Sequence, residues 1–231
     1  MIEAAAVVFD LDGTLIDSAP DLHLAANRLL AEEGLPPVGA DAVRMMVGEG
    51  VGRLVERLFA AVAAPLSPGD AGRCTERFRA LYLERPCTGT TVLPGAYEAL
   101  AALESGNVPM GLCTNKPVAH TRAILAALAL ERYFPVVVGG DSLPVRKPDP
   151  APLLHAVAAL HARPEASVFV GDSAIDFRTA RAAGTAIVLV DGGYAHEPLD
   201  RLAADAHIPT LKALPRTLAQ LRPALAAQRR G

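Results

Sequence analysis

Residues 7–17 read VVFDLDGTLID: three apolar residues suited to a buried strand, followed at once by two carboxylates, Asp10 and Asp12. Burying one carboxylate beside apolar residues costs several kcal/mol, and a second carboxylate raises the pKa of the first. A pair in this position calls for a cation.

Working outward, short apolar runs recur at Ala4 to Phe9, Val108 to Cys113, Val136 to Val138, Val168 to Val170 and Ile187 to Val190, bounded by turn residues. Runs this continuous suit strands buried on both faces of a parallel sheet. Between them, AYEALAALESG, HTRAILAALALERYF, DPAPLLHAVAALHA and DFRTARAAG carry apolar residues at helical spacing, with Gly106 as a C-cap for the first. The alternation predicts right-handed βαβ crossovers, hence an α/β fold with a Rossmann-like parallel sheet core. The stretch from Asp17 to Arg85 breaks the rhythm. Its segments PDLHLAANRLLAEEG, ADAVRMMVGEGVGRLVERLFAAVA and GDAGRCTERFRALYLER all read as helix. We expect an all-helical cap domain at 17–85, inserted into a core domain made of 1–16 and 86–231. The tail LAQLRPALAAQRRG reads as a helix whose two closing arginines, Arg229 and Arg230, are solvated.

Composition narrows the function classes. With 22 Lys plus Arg against 25 Asp plus Glu, the formal net charge of -3 offers no basic footprint for nucleic acid or an anionic membrane. Cys74, Cys87 and Cys113 are odd in number and widely spaced, which argues against a disulfide framework or a zinc knuckle and suits a reducing cytoplasm. Neither a leader segment nor a membrane span is expected, because no basic n-region precedes an apolar stretch and no apolar run is long enough.

In an open parallel sheet, ligands bind beyond the carboxyl ends of the strands. Four strand ends here are chemically loaded: Asp10 and Asp12; Thr114, Asn115 and Lys116; Lys147 in VRKPDP; and Gly171, Asp172, Ser173 and Asp176. Acidic positions converging on one edge make a hard oxygen site suited to Mg²⁺, and Thr114 and Lys147 would then cradle a phosphate. Each motif also has a local reading. Asp12-Gly13 could be a hairpin turn, TNKP a polar turn, KPDP a helix start capped by Asp149, and GDSAID an N-cap cluster on Ser173 or Asp172. An EF-hand is excluded, since Gly13 falls at loop position 4 where that loop needs its glycine at position 6. The ordered set at successive strand ends favours one assembled site.

That set, DxDGT at 10–14, Thr114-Asn115-Lys116, Lys147-Pro148 and Gly171-Asp172-Ser-x-x-Asp176, resembles the haloacid dehalogenase-like hydrolase superfamily, in particular its Mg²⁺-dependent phosphatases with a helical cap after the first strand. Within it, VGEGVGRLVERL, LPGAYEAL, CTNKP, GGDSLPVRKPDPAPLL and GDSAIDFRTARAAG are similar to the bacterial phosphoglycolate phosphatase family. The resemblance implies a small phosphate monoester as substrate and a two-step transfer. Asp10 would be the nucleophile, forming an aspartyl phosphate, and Asp12 the acid and then the base. Asp10, the backbone carbonyl of Asp12, and Asp172 would bind Mg²⁺, with Asp176 in support. Thr114, Asn115 and Lys147 would hold the transferring group, and Arg44 or Arg53, flanking the Gly48 and Gly50 loop, could bind the substrate carboxylate.

Several alternatives stay open on sequence. Related phosphatases act on sugar or amino sugar phosphates. β-Phosphoglucomutase uses a cap histidine twelve residues after its nucleophile; that position here is Leu22, with His23 next to it. A receiver-like signalling domain also carries a phosphorylated aspartate, although it lacks a cap, and a silent binding module could keep the fold without turnover.

Overall fold

The computed structural model describes residues 6–195 and 198–227. In chain order the strands are β1 (Ala6–Phe9), β2 (Ile16–Asp17), β3 (Thr91–Val92), β4 (Met110–Cys113), β5 (Val136–Val138), β6 (Ser167–Gly171), β7 (Ala186–Val190) and β8 (Ala206–Ile208). All four residues of β1 are buried. Val7 and Phe9 join one apolar cluster while Ala6 and Val8 join another, as a strand covered on both faces must. Parallel neighbours flank it, β4 on one side and β6 on the other. The described strands of the main sheet run β5-β4-β1-β6-β7-β8, all parallel. The order reverses direction next to β1, and the crevice at such a switch point is where an α/β sheet binds its ligand.

The helices are α1 (Ala19–Glu32), α2 (Ala40–Arg44), α3 (Val51–Ala61), α4 (Pro68–Glu84), α5 (Ala96–Ser105), α6 (Val118–Ala127), α7 (Ala151–Ala159), α8 (Ala174–Ala183) and α9 (Leu214–Ala227). Leu100 and Leu103 of α5 and Ile124 and Leu125 of α6 fill the cluster on the Val7 and Phe9 face. Leu153 and Val157 of α7 and Ala180 and Ala183 of α8 fill the cluster on the other face. The chain leaves the sheet through β2, runs through α1–α4, and returns through β3, which pairs antiparallel with β2. Leu29, Leu58, Phe78 and Leu81 of α1, α3 and α4 are fully buried. Among the described residues no helix is long and apolar enough to cross a membrane.

The architecture departs from the sequence expectations in two respects. The stretch at 40–63 is two helices rather than one, because Gly48 and Gly50 take φ of +118° and +88°, which no right-handed helix accommodates. The strands β2, β3 and β8 went unread, being two or three residues long. Gly106 does cap α5. Positions 4 and 5 of the first apolar run, and the closing arginines Arg229 and Arg230, lie outside the described residues.

Candidate active site

The end of β1 continues the ladder, with the Asp10 N–H donating to the Val170 carbonyl at 2.9 Å, and this fixes Asp10 at the sheet edge beside Asp172. The chain then turns through Gly13, whose φ is +84°. A Cβ at Gly13 would come within 2.4 Å of Asp172 Oδ2, and one at Gly193 within 2.3 Å. Both positions must lack a side chain for the backbone to wrap the Asp172 carboxylate this closely. Thr14 Oγ1 donates to Asp172 Oδ1 at 2.7 Å, and the Tyr194 N–H donates to Oδ2 at 2.7 Å.

Carboxylate oxygens of Asp10, Asp172 and Asp176 lie within 4.8 Å of one another. Burial pushes Asp10 up to about 6 against the pull of Lys147, with Asp176 adding to the rise. Asp172 is driven well above the usual carboxylate range, by burial first and then by Asp176 and Asp10. Lys147 Nζ stands 2.9 Å from Asp10 Oδ1 and 2.7 Å from Asp176 Oδ1. Burial works against its charge, yet these carboxylates hold its pKa above the ordinary lysine value. One ammonium does not balance three carboxylates. Asp10 Oδ1 is buried without a well-aligned hydrogen bond despite its closeness to Lys147. An all-oxygen donor set with an orphaned oxygen matches what a hard divalent cation such as Mg²⁺ requires.

The side chain of Asp12 is directed elsewhere. Its two oxygens each lie 2.9 Å from Lys116 Nζ, and Oδ1 also accepts from Ser18 Oγ at 2.5 Å. Any part Asp12 plays in holding a metal falls to its backbone carbonyl. Ser173 is the N-cap that GDSAID offers, and three residues on stands Asp176. It closes a capping box with Ser173 at the start of α8 and also binds Lys147. Similarly, Asp149 accepts from the Ala151 N–H at 2.8 Å, so KPDP starts a helix as well as delivering Lys147.

Thr114 is buried at the end of β4 and lines the same cavity as Asp10 and Asp12. The Asn115 side-chain amide donates to the Gly48 carbonyl at 2.9 Å and the Lys147 carbonyl at 3.0 Å, tying the glycine loop to the sheet edge. The two arginines face other partners. Arg44 pairs with Asp17 at 3.2 Å and lies over the Tyr194 ring, 4.8 Å from its centroid. Arg53 pairs with Glu56 at 2.5 Å and is half exposed. Neither lines the cavities that reach Asp10. The sequence motifs include Thr14 in DxDGT without a role of its own and leave Ser18, Tyr82 and Tyr194 out of the site. Tyr194 lies in the loop after β7 and could have been found by the strand-end rule, whereas Tyr82 lies on α4 with no motif around it.

Asp10 and Asp12 sit between two cavities. One, about 40 Å³, is lined by Thr114, Asn115 and Lys116 from the sheet edge and by Leu22, Leu54 and Tyr82 from the helices above. The other, about 280 Å³, reaches Asp172, Ser173, Arg57 and Tyr194.

A parallel sheet that gathers an acidic cluster, a buried lysine and paired aspartates at its switch point defines an α/β hydrolytic enzyme. Residues 4–184 match the haloacid dehalogenase-like hydrolase family. Over 200 residues the chain is 48% identical to a phosphoglycolate phosphatase of Cereibacter sphaeroides, covering 85% of this chain and 89% of that protein. A crystal structure of a predicted phosphoglycolate phosphatase from Haemophilus somnus superposes with a TM-score of 0.87 at 30% identity, over 94% of this chain and 98% of that one. CbbY from Rhodobacter sphaeroides, solved in complex with phosphate, gives 0.77 at 25% identity over 95% and 100%. The chain belongs to the haloacid dehalogenase-like hydrolase family and is a phosphatase within it. The receiver-domain and silent-module alternatives give way to this assignment.

Proposed function

We propose that the protein hydrolyses 2-phosphoglycolate to glycolate and phosphate by way of an aspartyl phosphate on Asp10. The observation that carries this reading is the joint placement of Asp10 and Asp12 between an acidic cluster and a cavity of about 40 Å³. Asp10 attacks phosphorus as the ester P–O bond breaks, and the leaving oxygen takes a proton from Asp12. Asp12 then removes a proton from water, which attacks the same phosphorus, releases phosphate and restores Asp10. Thr114 and Lys147 hold the phosphoryl oxygens. The carboxylates of Asp10 and Asp172, the Asp12 carbonyl, and Asp176 behind them would hold Mg²⁺. When bound, Mg²⁺ shields the nucleophile from the dianionic phosphate and steadies the charge of the transferring group. The helices α1–α4 serve as the cap that closes over the leaving group.

Size and charge favour a short acid over a sugar. At about 10–15 Å³ of such space per water, a cavity of about 40 Å³ suits a two-carbon arm, while a bulkier leaving group would need the cavity of about 280 Å³ that also reaches Asp10. The mutase alternative is disfavoured because His23 Nε2 lies 2.9 Å from the Val38 carbonyl, within the helical layer, while the apolar Leu22 lines the cavity. A substrate panel with Mg²⁺ tests the reading. kcat/KM for 2-phosphoglycolate should exceed that for glucose phosphates and amino sugar phosphates, and excess EDTA should abolish turnover until Mg²⁺ is restored. A sugar phosphate as the preferred substrate, or full activity in EDTA, would overturn it.

A further inference from the structure

Lys116 is the one cationic side chain among the described residues that line the small cavity beside Asp10 and Asp12. Its ammonium is almost wholly buried, with 4% of the side chain exposed. Two of its three N–H groups are accounted for by the Asp12 oxygens, each at 2.9 Å. The ammonium also lies 4.8 Å from the centroid of the Tyr82 ring. Tyr82 is 2% exposed, and its hydroxyl is buried without a well-formed hydrogen bond. The phenol oxygen faces the Lys116 ammonium, so what a ligand would supply at this wall of the cavity is an acceptor for its O–H. Around these two groups the cavity is apolar, with Leu22, Val51 and Leu54. Such walls leave an incoming anion no other positive charge to meet.

We propose that Lys116 and Tyr82 are the specificity-determining pair that receives the carboxylate at the far end of the substrate, the ammonium supplying charge and the phenol a second donor. This rests on the reading of the protein as a phosphatase acting on a carboxylate-bearing ester. Arg44 and Arg53 are already engaged by Asp17 and Glu56 outside this cavity. In the larger cavity Arg57 faces Glu49, and Arg178 stands beyond it on the Asp172 side, outside the small cavity. Asp10, Thr114 and Lys116 line one cavity of about 40 Å³, so a two-carbon arm leaving a phosphate at Asp10 stays in the space that Lys116 borders. A longer acid would meet Leu22 and Leu54.

The test compares 2-phosphoglycolate with ethyl phosphate, an ester of the same carbon count whose terminus is a methyl group. The ratio of their kcat/KM values is read for wild type, Lys116→Met and Tyr82→Phe. In wild type the ratio should strongly favour phosphoglycolate. In Lys116→Met it should fall by about tenfold to a hundredfold, and in Tyr82→Phe by up to about tenfold, since a charge-assisted contact exceeds a neutral one. Equal losses on both esters in Lys116→Met would mean that the lysine acts only through Asp12, and would overturn the inference. If Lys116→Met does not fold, Tyr82→Phe decides alone: an unchanged ratio overturns the pairing. A wild type indifferent to the carboxylate would instead remove the phosphoglycolate reading itself, so the two failures are distinguishable.

Discussion

Among the described residues Lys147 is the single ammonium set against the clustered Asp10 and Asp176, and that imbalance separates stability from function. Burial holds Asp10 up to about 6, so ionising it in the folded protein without a cation is unfavourable. Asp10→Asn removes one of three crowded carboxylates while keeping the shape. We expect it to abolish turnover and, in EDTA, to leave the thermal midpoint at or above that of wild type, a trade between activity and stability. A marked drop in that midpoint would show that the cluster is not under electrostatic strain. Asp12→Asn should retain Asp10 and its cluster but lose acid and base assistance, lowering kcat by about 10² to 10⁴. Stopped-reaction mass measurement should then find phosphorylated Asp10 if the second step suffers most. The paired aspartates were legible because two acids after an apolar run demand a reason. The bond from Lys116 to Asp12 was not, because it joins residues 104 apart and only the sheet brings β1 and β4 together.

Continuous apolar runs made β1, β4, β5, β6 and β7 readable, since a strand covered on both faces has no alternation to be confused with a turn. In β8 the central residue His207 is exposed, and β2 and β3 have two residues each, too few for any period. Yet the short elements join the helical layer to the sheet. Tyr194, from the loop after β7, donates through its hydroxyl to Asp17 Oδ1 at 2.7 Å in β2. The same hydroxyl accepts from the Ser18 N–H at 2.8 Å and the Ala19 N–H at 3.0 Å, where α1 begins. Tyr194→Phe keeps the ring but takes this acceptor from the Ser18 N–H and leaves the Ala19 N–H with Asp17 Oδ1 at 3.1 Å, a loss we place at about 1–3 kcal/mol. The urea midpoint should fall with the slope unchanged, and the amides of Ser18 and Ala19 should exchange faster with solvent. Unaltered exchange at those amides would mean that this tie does not hold the start of α1. The Tyr194 N–H also binds Asp172, so one residue connects the acidic cluster to the path out of the sheet.

For the whole molecule, the joint between the sheet and the helices above it should respond to acid through His120. This residue is on α6, and its ring stacks on Tyr82 of α4 with centroids 5.3 Å apart. Nε2 lies 3.0 Å from the Arg79 carbonyl, which assigns the neutral tautomer with its proton on Nε2. Nδ1 is then a bare nitrogen, buried with no partner. Protonating it would place a charge where burial disfavours one; the bond to the Arg79 carbonyl and a weak pull from Asp141 oppose this, but the Lys116 and Arg79 charges add to the burial and its pKa lies below the usual 6.5. Below about pH 6.5 the unfolded chain therefore binds more protons than the folded one. The stability contributed by neutral His120 is intact above that pH and is lost as pH falls through the folded value, by at most about 1.4 kcal/mol per pH unit for one proton. Asp10 works in the opposite sense: its raised pKa stabilises the folded state at low pH and loses that contribution as pH rises through about 6. Saturating Mg²⁺ should suppress the Asp10 contribution by favouring the carboxylate in the folded state. We therefore expect urea unfolding in Mg²⁺ to show wild type losing more stability between pH 7.5 and 5.5 than His120→Gln, which cannot take up the proton. If the two proteins lose the same amount, the acid sensitivity belongs to other groups and α4 and α6 meet without a titrating contact between them.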